Sequence, residues 1–170
     1  MRIKISGVVN DSIVDGAGFR LTVFTQGCHH NCPGCHNPQT HDPEGGFWSD
    51  TEDILNVAAE NPLLDGITLS GGDPMEQPAP CTALAEGAHK MGLNVWTYTG
   101  YTWEALLEEN NPERMALLQN TDVLVDGPFL IDQRSLELRF KGSKNQRTID
   151  VKKSLETGEI VLWDNEVNSP

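Results

Sequence analysis

Short apolar segments alternate along the chain with segments in which apolar residues recur at helical spacing. The apolar segments are rich in β-branched residues and end at glycine, proline or aspartate, which is the pattern of buried strands. One follows a glycine-containing turn within residues 12–26. Further strands are predicted at 66–70, 94–98 and 123–125, with a possible strand at 136–140.

Helical segments lie between these strands. Ser49 followed by Glu52 fits a capping box, which predicts a first helix over about residues 50–60. Pro80 is acceptable in the first turn of a second helix, and Gly92 stops that helix. The helices are therefore predicted at residues 50–60, 80–91, 103–109 and 114–119.

Strands that alternate with helices through short loops indicate parallel βα units. A chain of 170 residues can bury a core of its own, but a complete (β/α)8 barrel takes roughly 200 to 250 residues. We therefore predict a single α/β domain over residues 1–170, built as an incomplete (partial) βα barrel or curved sheet. A short flexible C-terminal tail is expected from about residue 164.

In parallel sheets of this kind, reactive groups collect at the C-terminal ends of the strands. Cys28, the turn at residues 71–73, the segment 97–100 and Asp126 each lie at or just past the end of a different predicted strand. They are expected to meet at one rim of the sheet. The chemistry of the protein is therefore expected at this rim.

An excess of acidic residues sets the charge of the chain. It has 25 Asp and Glu against 12 Lys and Arg, a formal net charge of −13. A surface of this sign repels a phosphate backbone, so nucleic acid is not expected as a partner. No run of about 18 apolar residues occurs and no signal peptide is indicated. We expect a soluble, cytoplasmic protein with no membrane contact.

Three of the four cysteines lie within eight residues, Cys28, Cys32 and Cys35, in the pattern Cys-x3-Cys-x2-Cys. They are too close together to join distant parts of the fold by disulfides, so a metal site is favoured. Three thiolates can hold three corners of a [4Fe–4S] cluster, which leaves one iron open to an exogenous ligand. Gly34 lets this loop turn tightly and Pro33 stiffens it.

A zinc ion is the alternative that this spacing leaves open. A closed tetrahedral site would combine the three cysteines with one of four histidines, namely His29, His30, His36 and His41. Cys81 is a further candidate for the fourth ligand. It lies on a predicted helix, however, where a free cysteine is commonly a small buried hydrophobe.

The cysteine pattern, followed by Ser70-Gly71-Gly72-Asp73-Pro74 at a strand end, resembles the radical S-adenosylmethionine (SAM) superfamily. Over roughly residues 8–151 the chain resembles, more narrowly, the anaerobic ribonucleotide reductase activating enzymes. The segments that carry this resemblance are 15–20, 32–37, 95–101, 125–129 and 139–147. Ala17 stands where that family usually has proline, and His36 where an aromatic residue often follows the last cysteine.

The resemblance implies an oxidoreductase that activates another enzyme. Such an activase cleaves SAM reductively at one [4Fe–4S] cluster, held here by Cys28, Cys32 and Cys35, and generates a glycyl radical. The implied partners are the glycyl radical subunit of an anaerobic ribonucleotide reductase and a low-potential electron donor such as a flavodoxin or ferredoxin. The hard chemistry belongs to cluster and SAM, so no catalytic side chain is implied.

The resemblance also implies a set of residues around SAM. Backbone groups of Gly71 and Gly72 and the carboxylate of Asp73 are expected near the methionine amino group. Gly34 and His36 are expected to pack on adenine. The remaining residues expected to contact SAM are Cys35, Ser70, Thr97, Thr99 and Asp126.

Several other residues have a structural and a functional interpretation. Arg20 and residues 144–147 offer donors for the SAM carboxylate or for the partner's surface, with surface salt bridges as the alternative. Trp96, Trp103 and Trp163 are expected to be buried or half-buried.

Two other functions stay open at this point. One is a zinc-stabilised interaction module without chemistry, which would be colourless and would unfold when zinc is removed. The other is a radical SAM enzyme that acts on a small molecule, which would release 5′-deoxyadenosine without forming a glycyl radical.

Overall fold

A central β-sheet with helices packed against it makes up the part of the chain that the computed structural model describes, residues 1–28, 30, 38–135, 138 and 140–163. Within these residues the strands are β1 Arg2–Ser12, β2 Arg20–Thr25, β3 Phe47–Asp50, β4 Gly66–Gly71, β5 Asn94–Tyr98, β6 Val123–Asp126 and β7 Arg147–Asp150. The helices are α1 Thr51–Ala59, α2 Pro78–Lys90, α3 Trp103–Glu109, α4 Pro112–Gln119 and α5 Val151–Thr157. None of these described helices is both long and apolar enough to cross a membrane.

The seven strands of the described chain pair in the order β3-β1-β2-β4-β5-β6-β7. Strands β2, β4, β5 and β6 run parallel to one another. On one side β1 and β3 are antiparallel to their neighbours, and on the other side β7 is antiparallel to β6. Because β3 and β7 form two separate edges, the sheet stays open. The predicted α/β fold with an incomplete barrel is confirmed.

The two faces of the sheet differ because side chains alternate along each strand. Leu69 of β4, Val95 of β5 and Leu124 of β6 belong to a large apolar cluster shared with α2, α3 and α4. A smaller, separate cluster on the opposite face consists of Trp96, Val123 and Val125, against which four partly buried residues pack, Ala17, Tyr98, Phe140 and Trp163. Side chains at the strand ends therefore point either to the helices or to the open face, according to their place in the alternation.

The predictions from local pattern are confirmed for several elements. β5 and α3 have the predicted bounds, and the three tryptophans are buried or half-buried as expected. Helix α2 begins at Pro78 rather than Pro80. β1, β3, β7 and α5 have no counterpart among the predictions. Of the possible strand at 136–140, residues 138 and 140 are described and are not in a strand, whereas the rest and the expected tail from residue 164 lie outside the described residues.

The predicted capping box at Ser49 is wrong. Ser49 lies in β3, where it pairs with Ile3 of β1. Helix α1 is capped by Asp50, whose carboxylate accepts a hydrogen bond from the backbone N–H of Glu52 at 2.9 Å. Serine and aspartate are both good N-cap residues, and here the pairing of β3 with β1 decides between two neighbours.

The guanidinium of Arg20 is fully buried, so the alternative interpretation as a surface salt bridge is wrong, and the side chain is not available to a partner's surface. Its Nε donates to Thr68 Oγ1 at 2.7 Å, and its two terminal nitrogens donate to the carbonyl oxygens of Ile67 at 2.7 Å and Ala17 at 2.9 Å. Burial lowers the pKa of Arg20 to about 10. The side chain therefore ties the loop before β2 to strand β4.

Candidate cluster and cofactor site

The cysteine loop is closed at its base, directly after β2. The backbone N–H of Gly27 donates to the carbonyl oxygen of Thr40 at 2.6 Å, and that of Cys28 donates to His41 at 3.1 Å. The Gln26 side chain bonds to the carbonyl oxygen of Asp42 at 2.7 Å. Residues 28 and 41 are therefore held side by side, and the first cysteine has a fixed position.

The Gly-Gly-Asp turn after β4 is docked on this base. The N–H of Gly72 donates to the carbonyl oxygen of Thr25 at 2.8 Å, and the N–H of Asp73 donates to that of Gly27 at 2.9 Å. A Cβ at Gly72 would lie 2.3 Å from the Gly27 carbonyl oxygen. The chain's own packing therefore requires a glycine here, whether or not a ligand approaches the same backbone.

Asp73 is fully buried. Its Oδ1 accepts from the backbone N–H of Met75 at 2.9 Å. Its Oδ2 accepts from Thr99 Oγ1 at 3.0 Å, from the N–H of Gly100 at 2.9 Å and from Nε2 of His30 at 2.6 Å. The hydrogen bond to Asp73 raises the pKa of His30. The carboxylate thus joins the cysteine loop to the ends of β4 and β5.

Two adjoining cavities of the described chain open at the C-terminal ends of the parallel strands. The smaller, about 110 Å³, is lined by Cys28, Gly71, Gly72, Thr99, Gly100 and Gly127, among others. The larger, about 350 Å³, extends over the open face of the sheet between Asp15 and Lys141. Residues Ser70, Tyr98, Phe129 and Gln146 line both. The four predicted strand-end segments thus meet at one rim, which the turn after Asp126 reaches through Gly127.

Cysteines 32 and 35 lie outside the described residues, as do Gly34 and His36. Their predicted roles stay predictions. Within the described residues, no three His, Cys, Asp or Glu side chains come together as metal ligands. Cys28 is half-exposed at the cavity, which suits a thiol that binds a group placed there.

Comparisons with known proteins decide the family. A family model described as a 4Fe-4S single cluster domain matches residues 14–149. The anaerobic ribonucleoside-triphosphate reductase-activating protein of Salmonella typhi is 38% identical over 142 residues, 79% of this chain and 90% of the relative. Proteins of the same name from Vibrio cholerae and Escherichia coli K12 are 36% identical over 143 residues, 79% of this chain and 89% and 90% of theirs. The chain belongs to this family of activating proteins.

As a member of this family, the chain carries a 4Fe–4S single-cluster domain, which favours an iron–sulfur cluster over the zinc site that the spacing left open. Among solved structures, QueE from Escherichia coli superposes with a TM-score of 0.47 at 17% identity, over 60% of this chain and 54% of that one. A structural similarity this low does not indicate the function of this chain.

Cys81 is a buried core residue of this activating protein. It lies in α2 with no exposed surface, inside the apolar cluster on the helix side of the sheet. Burial raises the pKa of its thiol, which disfavours the thiolate that metal ligation requires. The prediction of a small buried hydrophobe is confirmed.

Thr97 and Asp126, both in the described chain, line neither of the two cavities. Thr97 is buried on the helix side, with its Oγ1 2.8 Å from that of Thr121. Asp126 accepts from the backbone N–H of Trp103 at 2.8 Å and binds Arg147. The side chain of Thr97 therefore faces the helices, and that of Asp126 contacts α3 and β7. Neither lies at the rim.

Two further side chains at the rim are absent from the set expected around SAM, His30 as the partner of Asp73 and Tyr98, whereas Gln146 belongs to the donor group predicted at residues 144–147. Tyr98 lines both cavities, its hydroxyl has no hydrogen-bond partner among the described residues, and burial raises its pKa. Gln146 holds the loop after β6, donating to the Gly127 carbonyl at 3.0 Å. Strand alternation was the available signal for Tyr98, since it shares the face of Trp96.

Proposed function

We propose that this protein activates an anaerobic ribonucleotide reductase by radical SAM chemistry. The observation that carries the proposal is the docking of the Cys28 loop base on the Gly71–Asp73 turn at a strand-end cavity, in a chain whose relatives bear the name of reductase-activating proteins. A reduced [4Fe–4S] cluster held by the cysteine loop would supply the electron for the reductive cleavage of SAM, and this cleavage would generate the glycyl radical of the reductase.

Cys28, Cys32 and Cys35 are the proposed ligands of one cluster per chain. Three thiolates would leave one iron without a protein ligand, and the amino and carboxylate groups of SAM would be suited to bind there. The fixed backbone and half-exposed thiol of Cys28 support this assignment. Cys81 is excluded from the ligand set because it is buried in the core on the helix side.

The SAM site is proposed at the smaller cavity and its shared wall. The residues of this chain that line it and would surround SAM are Ser70, Gly71, Gly72, Tyr98, Thr99 and Gly100. Gly34 and His36 are proposed for the adenine, as the family resemblance implies. The protein's contribution is to bind and orient SAM and to exclude water.

The larger cavity is the proposed entry for the glycine-bearing segment of the reductase. It adjoins the smaller cavity, and the sheet is open at both edges, so a loop of another protein has access to the rim. The other proposed partner is a low-potential electron donor such as a flavodoxin or ferredoxin. The net charge of −13 supports the proposal that nucleic acid is not a partner.

Anaerobic incubation with SAM, a reductant and the candidate reductase tests the proposal. We expect a glycyl doublet by electron paramagnetic resonance together with 5′-deoxyadenosine. Cys32→Ala abolishes both products, whereas the matched control Cys81→Ala keeps them, because Cys81 lies in the core.

Three results contradict the proposal. Activity that survives in Cys32→Ala removes the cluster assignment. Deoxyadenosine without the glycyl doublet indicates a radical SAM enzyme that acts on a small molecule. A colourless protein with one equivalent of zinc indicates the interaction module.

A further inference from the structure

His30 is the one side chain between Cys28 and Cys32 that the structure describes, and it leaves the loop to contact the body of the protein. Its Nε2 lies 2.6 Å from Oδ2 of Asp73. Its ring also meets the ring of Tyr101 edge to face, with centroids 4.7 Å apart and planes at 76°. The cysteine loop is therefore attached at its base and again part-way along its length.

Asp73 is a rigid anchor for this contact. Met75 and Gly100 donate backbone N–H groups to its carboxylate, and Thr99 donates its hydroxyl. With these donors in place the buried carboxylate has one orientation, and Oδ2 faces His30. A charged acceptor in a buried position makes a stronger hydrogen bond than a neutral one.

Gly100 provides the space for the histidine ring. A Cβ built at Gly100 would lie 2.5 Å from Cδ2 and 2.7 Å from Cγ of His30. The backbone of Gly100 does not have a positive φ, so its conformation is open to any residue. The absence of a side chain at position 100 is thus explained by the ring that occupies the space.

The contact has further support behind it. The hydroxyl of Tyr101 donates to Glu76 at 2.7 Å, and the guanidinium of Arg114 lies 4.6 Å from the Tyr101 ring centroid. Arg114 also donates from Nε to the carbonyl oxygen of Met75 at 2.8 Å. The aromatic ring against His30 is therefore held in place from the helix side.

We propose that His30 is a positioning residue that holds the segment between Cys28 and Cys32 on the rim, through Asp73 and in the space left by Gly100. Asp73 then acts on the cysteine loop through His30, in addition to any contact with SAM. The consequence for the cluster rests on the proposed function, whereas the packing of His30 against Asp73 and Gly100 does not.

A double-mutant cycle on the metal-free protein tests the packing. Gly100→Ala places a methyl group against the His30 ring, so we expect its urea midpoint to fall clearly below that of the wild type. In a His30→Ala background the same methyl group has room, and we expect Gly100→Ala to cause no further fall. An equal fall in both backgrounds overturns the proposal. This test needs neither cluster nor SAM.

Iron retention tests the consequence for the cluster. After anaerobic reconstitution, we expect His30→Ala and Gly100→Ala to lose iron to a chelator about tenfold faster or more, as for other residues that orient metal ligands. His30→Gln, which keeps a donor for Asp73, is expected to lose iron more slowly than His30→Ala. The matched control is His89→Ala, which removes a similar bond, His89 Nε2 to Asp122 at 2.7 Å, away from the rim.

Each outcome of the iron measurement has one meaning. A His30→Ala protein that retains iron at the wild-type rate overturns the positioning role, and so does a His89→Ala protein that loses iron as fast as His30→Ala. If the wild type itself binds no iron after reconstitution, the proposed function fails. The double-mutant cycle still decides the packing of His30 in that case.

Discussion

Arg147 binds both carboxylate oxygens of Asp126, with Nε 3.1 Å from Oδ1 and Nη2 2.5 Å from Oδ2. Asp126 is 1% exposed and also accepts the backbone N–H of Trp103. We expect Asp126→Ala to lower the free energy of unfolding by about 1.5–3 kcal/mol, because it leaves a buried N–H without an acceptor and Arg147 without its main partner. Urea unfolding measures the change.

A cycle with Arg147→Ala shows whether the pair itself accounts for this loss. Residues in direct contact give coupling energies of about 0.5–3 kcal/mol, and we expect a value in this range. Glu104, which binds the same arginine from an exposed position, is the control. Glu104→Ala should change the free energy of unfolding by about 1 kcal/mol or less. Additive effects of Asp126→Ala and Arg147→Ala would contradict the stabilising role of the pair.

Local sequence signals were enough for the elements that surround the rim. β5 and α3 have the predicted bounds because their apolar spacing and their flanking turns agree. The first helix start was wrong by one residue because Ser49 is taken into β3, which pairs with a strand more than forty residues away. β1 carries the alternation of a half-buried strand in Arg2-Ile3-Lys4-Ile5.

The location of the candidate site at the strand ends was predictable from the sequence. The hydrogen-bond partners of its side chains were not. The docking of the Gly71–Asp73 turn near Cys28 follows from the parallel order of β2 and β4. The partner of Asp73 does not follow, because His30 is 43 residues away along the chain and lies outside the predicted strands and helices. Thr97 and Tyr98 are neighbours on one strand, and alternation sends only Tyr98 to the rim.

Gly72→Ala should separate the turn from the base of the cysteine loop. The added methyl group would lie 2.3 Å from the Gly27 carbonyl oxygen, a backbone atom that cannot move aside cheaply. We expect a loss of about 1–3 kcal/mol in the free energy of unfolding. The control is Gly7→Ala in β1, where no described atom lies within 4 Å of the added group. A Gly72→Ala protein as stable as Gly7→Ala would contradict the close approach.

Arg20→Lys tests whether the buried guanidinium is a structural cross-link. Lysine cannot reproduce the fork that reaches Thr68, Ile67 and Ala17 at once. We expect the free energy of unfolding to fall by about 2–4 kcal/mol as these bonds to a charged group are lost. The same substitution at exposed Arg2 should stay within about 0.5 kcal/mol. Equal stability of both variants would show that the bonds of Arg20 contribute little.

Thr97→Val and Tyr98→Phe should affect different properties of the protein, although the two residues are adjacent. The first should change stability, and the second should change SAM binding. Thr97→Val removes a buried hydroxyl on the helix side, so we expect stability to fall by about 0.5–1.5 kcal/mol and SAM affinity to stay unchanged. Tyr98 lines both cavities, and Tyr98→Phe removes its hydroxyl, which has no partner in the described chain, so we expect unchanged stability and roughly three- to tenfold weaker SAM binding.

Equilibrium dialysis of SAM with the anaerobically reconstituted protein, beside urea unfolding, separates these two effects. Weaker SAM binding in Thr97→Val with no loss of stability would place Thr97 at the ligand, against its position in β5. Unchanged SAM binding in Tyr98→Phe would remove the Tyr98 hydroxyl from the proposed SAM site. Thr97 and Tyr98 are adjacent in β5 but lie on opposite faces of the sheet. The two variants thus test whether the face on which a side chain lies decides whether it contacts SAM.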